Sequence, residues 1–410
     1  MINNHSPEKS IVIFGAGKIG RSFIGQLFSR SGYKIIFIDV DQRIINELNR
    51  RQKYTVVIKS TNDELLEIVN VSGIYANDKE SVIKAIADCS LMATCVGKNA
   101  LPKILPILAK AIENRIKVHP EFPLDIILAE NIRDACNLVK GGISELLSEG
   151  FPVNAYIGFI ETSIGKMVPI MPLEIENSDA LLVYAESYNT LIIDKIGFKN
   201  PIPQVIGLAP VDNIKAWVDR KAFIHNLGHV AAAYFGFFKY PERKYLFEVL
   251  ENHEVHLFTR EAMEQSAKAL IAEYPDVFTE DDLHEHIQDL VNRFRNNALG
   301  DTIFRIGSDL KRKLSGGDRI IGAIKLAQKH NCPYNRLIEV LIYGLLFRAK
   351  DESVQLFEGD IDFAHDLELD IDNLLTSVCG FNKKTDIDDV LKIRYQYKFL
   401  LESNKQIKEK

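Results

Sequence analysis

A chain of 410 residues, 46% hydrophobic and 26% charged, has the composition of a globular protein of two or three domains. Its formal net charge of -6 argues against a nucleic-acid binder, since neutralising phosphates requires a basic face. Five cysteines without framework spacing favour reduced thiols over disulfides. The N-terminal residues lack the apolar core of a secretion signal, and no apolar stretch has the length of a membrane span. We therefore expect a cytoplasmic protein that contacts no membrane.

The first ordered elements are predicted to be a strand, a glycine-rich turn, a helix and a second strand. The apolar run Ser10–Phe14 predicts a buried strand, and Lys34–Val40 predicts the next one. Between them, a helical pattern follows a G-x-G-x-x-G turn that consists of Gly15, Ala16, Gly17, Lys18, Ile19 and Gly20. An acid, Asp39, stands 19 residues after the third glycine. In this context the turn predicts a dinucleotide-binding site.

Each glycine of this motif has a physical role. Gly15 permits the tight turn, Gly17 lets the backbone approach a pyrophosphate, and Gly20 lets the helix pack closely on the strand. The helix N-terminus offers N–H groups to the phosphates. Asp39 would accept hydrogen bonds from both ribose hydroxyls and repel a 2′-phosphate, so the expected cofactor is NAD and not NADP.

The alternation of strands and helices continues, and strand-like segments still occur in 159–169 and 173–188, such as 180–184. Strands are predicted at 54–59 and 65–71, as an inserted hairpin, and at 90–96 and 124–129; helices are predicted at 41–51, 80–88 and 101–116. Ligands of a doubly wound sheet lie beyond the carboxyl ends of its strands. Val96 and Gly97 are therefore expected at the cofactor, and Asn131 where the nicotinamide meets the substrate. For Asn131, an ordinary turn residue at a strand end is the alternative.

The pattern becomes helical after a proline-containing segment at 198–210, which is the best linker candidate. We place the domain boundary there, with an NAD-binding Rossmann-type domain at 1–210 and a helical substrate domain at 211–410. The fold class is thus α/β followed by a mainly α-helical domain. Helices are predicted at 213–235, 244–264, 266–273, 279–296, 317–330 and 334–348.

One of these helices carries a candidate catalytic set in the stretch KAFIHNLGH, residues 221–229. At about 100° per residue, one sector of the helix can hold Lys221, Asn226 and His229. A desolvated lysine can act as a base, asparagine can stabilise an oxyanion, and histidine can orient a hydroxyl. A solvated helix face is the alternative reading of the same three residues.

His225 and His229 also have the one-turn spacing of zinc ligands. No glutamate follows the first histidine, and no neighbouring cluster supplies a third ligand. We therefore expect no metal.

A basic segment at 301–321 lies between two predicted helices and contains Arg305, Lys311, Arg312, Lys313 and Arg319. Such clusters are usually solvated. In an acidic protein with a proposed small-molecule site, the cluster is also a candidate for binding an anion, because arginine forms bidentate phosphate contacts.

Together these motifs resemble the polyol-specific long-chain dehydrogenases, and most closely the mannitol-1-phosphate 5-dehydrogenase group. The similarity extends over residues 10–350 and is most specific in FGAGKIGRSFIG (14–25), IILAEN (126–131), DNIKAWVDRKAFIHNLGH (212–229) and RKLSGGDRII (312–321). It implies a metal-independent enzyme that uses NAD, with its site in a cleft between a Rossmann domain and a helical domain. It also implies a monomer.

The resemblance further implies a role for each site residue. Lys221 would be the general acid/base, Asn131 and Asn226 would flank the reacting oxygen, and His229 would orient the substrate. Arg305 and Lys313 match substrate-site positions, and with Arg312 they are the candidates for the phosphate. Departures from relatives at Gly165-Lys166, at Asn296-Asn297 and near Leu310 affect the substrate end.

The implied reaction interconverts mannitol 1-phosphate and fructose 6-phosphate. Mannitol 2-dehydrogenases and hexuronate (tagaturonate or fructuronate) reductases of the same superfamily remain alternatives, as does a non-catalytic NAD-binding sensor.

Overall fold

The computed structural model describes residues 9–60 and 62–408. The chain divides into two compact units, Met1–Val218 and Asp219–Lys410. The first unit is built on strands and the second on helices. Among the described residues, no helix combines the length and the apolar character needed to cross a membrane.

The first unit contains a large sheet and a small one. Its strands are β1 (Ser10–Phe14), β2 (Lys34–Asp39), β3 (Lys53–Ile58), β4 (Glu64–Val69), β5 (Val71–Tyr75), β6 (Leu91–Thr94), β7 (Leu124–Leu128), β8 (Ile157–Ile164), β9 (Val183–Ala185), β10 (Leu191–Asp194) and β11 (Leu208–Val211). The large sheet has the order β11-β10-β8-β7-β6-β1-β2-β5, and only the β10–β8 pair is antiparallel. From β5 to β8 this is the 3-2-1-4-5-6 order of a doubly wound dinucleotide-binding fold, which confirms the predicted fold class.

Helices cover both faces of this sheet. They are α1 (Gln26–Ser29), α2 (Gln42–Arg51), α3 (Lys79–Asp88), α4 (Leu101–Val118), α5 (Ala135–Ser144), α6 (Val153–Tyr156) and α7 (Leu173–Ser178), and a π-helical turn at Gly20–Gly25 precedes α1. Successive side chains of β1 enter different cores: Ile11 and Ile13 belong to one cluster, Val12 and Phe14 to the other. All of β1 is buried, as its continuous apolar run predicts.

The inserted hairpin is confirmed, but the sequence did not predict β5. Strands β3 and β4 pair antiparallel, and β3 also pairs with β9. The missed strand reads VSGIY and is mostly half-buried at the edge of the large sheet. Its Ser72 and Gly73 interrupt the apolar pattern, so pairing with β2, and not local propensity, makes it a strand.

The second unit is helical, as predicted. Its first helical segment begins at Ile214, just before the unit boundary. It consists of α8 (Ile214–Arg220), a π-helical turn (Lys221–Asn226) and α9 (Leu227–Lys239). The others are α10 (Leu246–Leu250), α11 (His253–Glu273), α12 (Glu280–Phe294), α13 (Ile303–Gly307), α14 (Leu310–Lys313), α15 (Arg319–Lys329), α16 (Asn335–Leu345), α17 (Glu358–Leu369), α18 (Ile371–Ser377) and α19 (Ile387–Lys408), with a 3-10 turn at Asn297–Leu299.

The structure differs from the predicted helices in several places, because α13, α14, α17, α18 and α19 match none of them. Two predicted boundaries around α11 are also wrong. The helix predicted at 244–264 is broken between α10 and α11, where the Asn252 side chain accepts a hydrogen bond from the Glu254 N–H at 2.9 Å and caps α11. The helix predicted separately at 266–273 is the continuation of α11. The asparagine cap was the overlooked signal.

Candidate active site

The first unit contains a cavity of about 690 Å³ at the carboxyl ends of β1, β2 and β6. Of the predicted cofactor-binding residues, Gly15, Gly17, Asp39 and Val96 line it. Its other walls come from α3 and α4 and from the segments before them, including Asn77, Lys79, Ile83, Lys103, Ile104 and Ile107. These residues are spread over more than 30 positions and form no short motif, so the sequence did not reveal them.

The glycine turn at the cavity is shaped by two close backbone approaches. Gly15 has φ +101°, and a Cβ atom there would lie 2.5 Å from the Cys95 carbonyl oxygen. A Cβ on Gly20 would collide with the Gly15 carbonyl. At Gly17, by contrast, a Cβ would meet nothing within 4 Å. The turn therefore leaves open space at the glycine that faces the cavity.

Asp39 is held firmly at the end of β2. Its Oδ2 accepts a hydrogen bond from the Ala16 N–H at 2.6 Å, and its Oδ1 accepts one from the Asp41 N–H at 2.9 Å. A carboxylate has about four acceptor positions, so two backbone donors leave capacity for further hydroxyl groups. The side chain thus combines a fixed orientation with unused acceptor positions.

Other predicted cofactor residues lie outside the cavity lining. Lys18 forms an ion pair with Glu176 at 2.5 Å, and Ile19 is half-buried. Gly97 is exposed, with φ +82°. Its N–H belongs to a hydrogen-bonded turn described next.

Glu130 holds the turn after β6. Its buried carboxylate accepts hydrogen bonds from the N–H groups of Val96 at 2.9 Å and Gly97 at 2.7 Å. Desolvation raises the pKa of Glu130 above its usual value. The adjacent Asn131 is exposed at the carboxyl end of β7. Sequence inspection did not assign Glu130 a role; an acid that ends a buried strand was the available signal.

In the second unit, the candidate catalytic helix has an unexpected geometry. Lys221–Asn226 is a π-helical turn and not an α-helical one. Because π-helical hydrogen bonds join residues i and i+5, Lys221 and Asn226 lie closer to the same side of the helix than they would in an α-helix. The α-helical spacing used for the prediction separates them by about 140°. Such turns occur often at functional sites.

Burial and neighbouring cations tune Lys221. Desolvation is the largest cause of a pKa lowered to about 8, and Arg319 and Arg312 lower it further, whereas Asp318 opposes them. At pH 7 about one amine in ten would then be neutral. This lysine is half-buried, not a solvated surface amine, and it can exchange a proton near neutral pH.

His229 packs against an aromatic ring and a carboxylate. Its imidazole stacks on Phe294, with centroids 4.6 Å apart and planes 6° apart, and its Nε2 lies 3.2 Å from Oδ2 of Asp301. Burial, followed by Arg305 and Arg319, lowers the pKa of His229 well below its usual value, so the ring is neutral.

The buried His225 ring lies 6.1 Å from that of His229. Among residues 9–60 and 62–408, no group of three or more His, Cys, Asp or Glu side chains could hold a metal ion.

Four cations of the basic segment, Arg305, Arg312, Lys313 and Arg319, lower the pKa of Lys221 or of His229. Lys313 is buried and its Nζ donates to the Ile306 carbonyl at 2.6 Å. Desolvation, then Arg319 and Arg312, lowers its pKa to about 7. Arg305 pairs with Asp301, Arg312 pairs with Asp309, and both are about half exposed (49% and 50%).

Arg319 was noted in the sequence as part of the basic cluster but not as a site residue. It is one of the cations that lower the pKa values of Lys221, His229 and Lys313. A group of close cations that destabilise one another's charges is suited to receiving an anion.

Two family models together match almost the whole chain. The mannitol dehydrogenase Rossmann domain matches residues 9–207, and the mannitol dehydrogenase C-terminal domain matches residues 213–410.

Solved structures show the same fold. Mannitol 2-dehydrogenase of Pseudomonas fluorescens, solved as a ternary complex with NAD and D-mannitol, is similar with a TM-score of 0.75 and 15% identity over 99% of this chain and 95% of that one. Octopine dehydrogenase, solved with NADH and pyruvate, has a TM-score of 0.50 and 11% identity over 82% of this chain and 88% of that one. The sheet order and the matches of both family models lead to one conclusion: this chain belongs to the mannitol dehydrogenase family.

Proposed function

We propose that this protein is an NAD-dependent polyol dehydrogenase that interconverts mannitol 1-phosphate and fructose 6-phosphate. The observation that carries the proposal is Lys221: a half-buried amine with a pKa lowered to about 8, on the family's signature helix and close to several cations. An amine of this kind suits proton exchange with a carbinol, and the nearby cations suit a phosphorylated substrate.

The residues of the first unit fit NAD. A cavity of about 690 Å³ is within the usual range for cofactor sites. The open space at Gly17 allows a pyrophosphate to approach the backbone, and Asp39 keeps acceptor positions for ribose hydroxyls. A 2′-phosphate would place negative charge against that carboxylate, which favours NAD over NADP.

In the oxidative direction, neutral Lys221 takes the proton of the substrate hydroxyl. Bound NAD supplies the hydride acceptor. The Asn226 side-chain N–H stabilises the negative charge that develops on the oxygen, and the family resemblance assigns Asn131 the same role. His229 orients a substrate hydroxyl. In the reductive direction, protonated Lys221 returns the proton to the new alkoxide.

Recognition of the phosphate is assigned to Arg305, Arg312 and Lys313. The two guanidinium groups are half exposed and suited to bidentate contacts, with the lysine as a nearby point charge. An arriving phosphate would compete with Asp301 and Asp309 for these groups. It would also raise the pKa of Lys313 by stabilising its charged form.

The proposed function is tested by a rate comparison with NADH and fructose 6-phosphate, fructose, tagaturonate and fructuronate. We expect kcat/KM to be highest for fructose 6-phosphate. Fastest reduction of free fructose would instead identify a mannitol 2-dehydrogenase, the second candidate, which the similarity to the Pseudomonas fluorescens enzyme favours. Fastest reduction of a hexuronate would identify a hexuronate reductase. NADH binding without turnover of any polyol or ketose would support a sensor and refute the enzyme.

The phosphate assignment has its own test. Arg305→Leu and Lys313→Met should each raise KM for fructose 6-phosphate by roughly 10-fold or more, because a hydrogen bond to a charged group contributes about 1.5–3 kcal/mol. Their KM values for free fructose should change less. Lys329→Met, at an exposed lysine paired with Glu273, serves as the control. Equal increases for both ketoses would contradict the assignment.

A further inference from the structure

A buried carboxylate joins two of the proposed site residues. Asp301 is in the connection before α13, and only 6% of its side chain is exposed. Its Oδ1 pairs with Arg305, while its Oδ2 lies 3.2 Å from Nε2 of His229. The histidine is on α9 and the arginine on α13, so one acid connects two separate elements.

The position of Asp301 is fixed by its backbone. Its carbonyl accepts a hydrogen bond from the Leu246 N–H at 2.9 Å, and the Ile303 N–H donates to the Lys244 carbonyl at 2.9 Å. Thr302, between them, caps α13 by accepting from the Arg305 N–H at 3.2 Å. The backbone around Asp301 is therefore held by hydrogen bonds at the residue itself and at the two residues that follow it.

The imidazole has a polar atom directed at this acid. Nε2 of His229 is buried and makes no hydrogen bond with the described residues, although a carboxylate oxygen lies 3.2 Å away. A buried donor without an acceptor is unfavourable, so a small rotation of the ring that aligns Nε2–H with Oδ2 is favoured. Because the imidazole is stacked on the Phe294 ring, it can rotate within its own plane but cannot tilt out of it.

We propose that Asp301 is a positioning residue that accepts a hydrogen bond from Nε2–H of neutral His229 while it pairs with Arg305. This contact fixes the tautomer: the proton stays on Nε2, and Nδ1 is left as an acceptor for a substrate hydroxyl. The assignment of His229 as a substrate-orienting residue rests on the proposed function; the carboxylate–imidazole contact does not.

The tautomer can be measured without turnover. In protein labelled with ¹⁵N in the histidine rings, the His229 signals are identified by their loss in His229→Gln. We expect the wild type to be neutral and protonated on Nε2, Asp301→Ala to lose this preference, and Asp301→Asn, which keeps an acceptor oxygen, to retain it. An unchanged tautomer in Asp301→Ala overturns the proposal.

Kinetics then separate positioning from a purely structural role. Asp301→Ala should lower kcat by roughly 10- to 100-fold in the wild type, but by no more than a few-fold in a His229→Ala background, since coupled residues are not additive. Asp301→Asn should recover most of kcat. Glu264→Ala removes another acid from an i,i+4 pair with arginine, Arg260, and should have no effect on kcat.

An equal loss of kcat in the wild-type and His229→Ala backgrounds would show that Asp301 has only a structural role. The expected tautomer change without turnover of any polyol or ketose would contradict the proposed function alone.

Discussion

The two candidate sites, one in each unit, are built by different physical means. In the first unit, the cavity is shaped by backbone: glycines permit close approach, and a carboxylate and a turn are held by N–H groups. In the second, side-chain charge is concentrated and partly buried, so that the pKa values of Lys221 and Lys313 fall to about 8 and 7. In the proposed enzyme, shape would therefore select the ligand in one unit, and electrostatics would set reactivity in the other. Substitutions should separate binding from chemistry accordingly.

The largest effect is expected at Lys221. Lys221→Ala should lower kcat by on the order of 10²–10⁴-fold, the usual contribution of a general base, while NADH affinity changes little. Steady-state rates and a fluorescence titration of NADH measure the two quantities. Lys239→Ala, at the end of the same helix, is the control and should retain wild-type turnover. A Lys221 variant with wild-type turnover would remove this lysine from the mechanism.

In the first unit, the largest effect is expected at Asp39. Asp39→Ala should weaken NADH binding by about 10- to 100-fold, because hydrogen bonds to a charged group contribute about 1.5–3 kcal/mol, and should narrow the preference over NADPH. The neighbouring Asp41→Ala removes the carboxylate that caps α2 and should lower the free energy of unfolding by about 1 kcal/mol without changing NADH affinity. Equal NADH affinities of the Asp39 variant and the wild type would refute its role.

The pH profile tests the electrostatic half of the comparison. In the proposed mechanism oxidation requires the neutral amine of Lys221, so kcat/KM for oxidation should fall about tenfold per pH unit below pH 8; reduction requires the protonated amine, so kcat/KM for reduction should fall above pH 8. Arg319→Gln removes a cation that lowers this pKa, and both profiles should move to higher pH. Profiles that stay in place would show that Arg319 does not tune the lysine.

The smallest effects are expected at two glycines, Gly15 and Gly17, where the same substitution should separate stability from NADH binding. Gly15→Ala should lower the free energy of unfolding by roughly 1–3 kcal/mol. The alanine would have to adopt a positive φ, and its Cβ would lie too close to the Cys95 carbonyl oxygen. Gly17→Ala meets no protein atom and should leave stability unchanged while it weakens NADH binding severalfold. Thermal unfolding and NADH titration distinguish the two. A loss of stability in Gly17→Ala would contradict the open space found at Gly17.

Much of the first unit was predictable because its signals are local. The strand, glycine turn and Asp39 occur within 30 residues, and each requirement acts on neighbouring backbone. Strand β5 was not predicted because its sequence has a low strand propensity, and it forms a strand only through its pairing with β2. Glu130 and Asp301 escaped for a related reason: an acid reveals its function only when its distant partners, the turn after β6 in one case and His229 in the other, come close.

By itself, the sequence determined the order of elements, the family and the types of side chain available for chemistry, since periodicity and short motifs act over a few residues. Only the tertiary structure decided how those side chains are arranged and which pKa values they have. The π-helical turn brings Lys221 and Asn226 closer to one side of the helix, and packing brings Arg319 close enough to lower the lysine's pKa. Burial and Coulomb interactions depend on distances between residues far apart in the chain, and local sequence does not contain them.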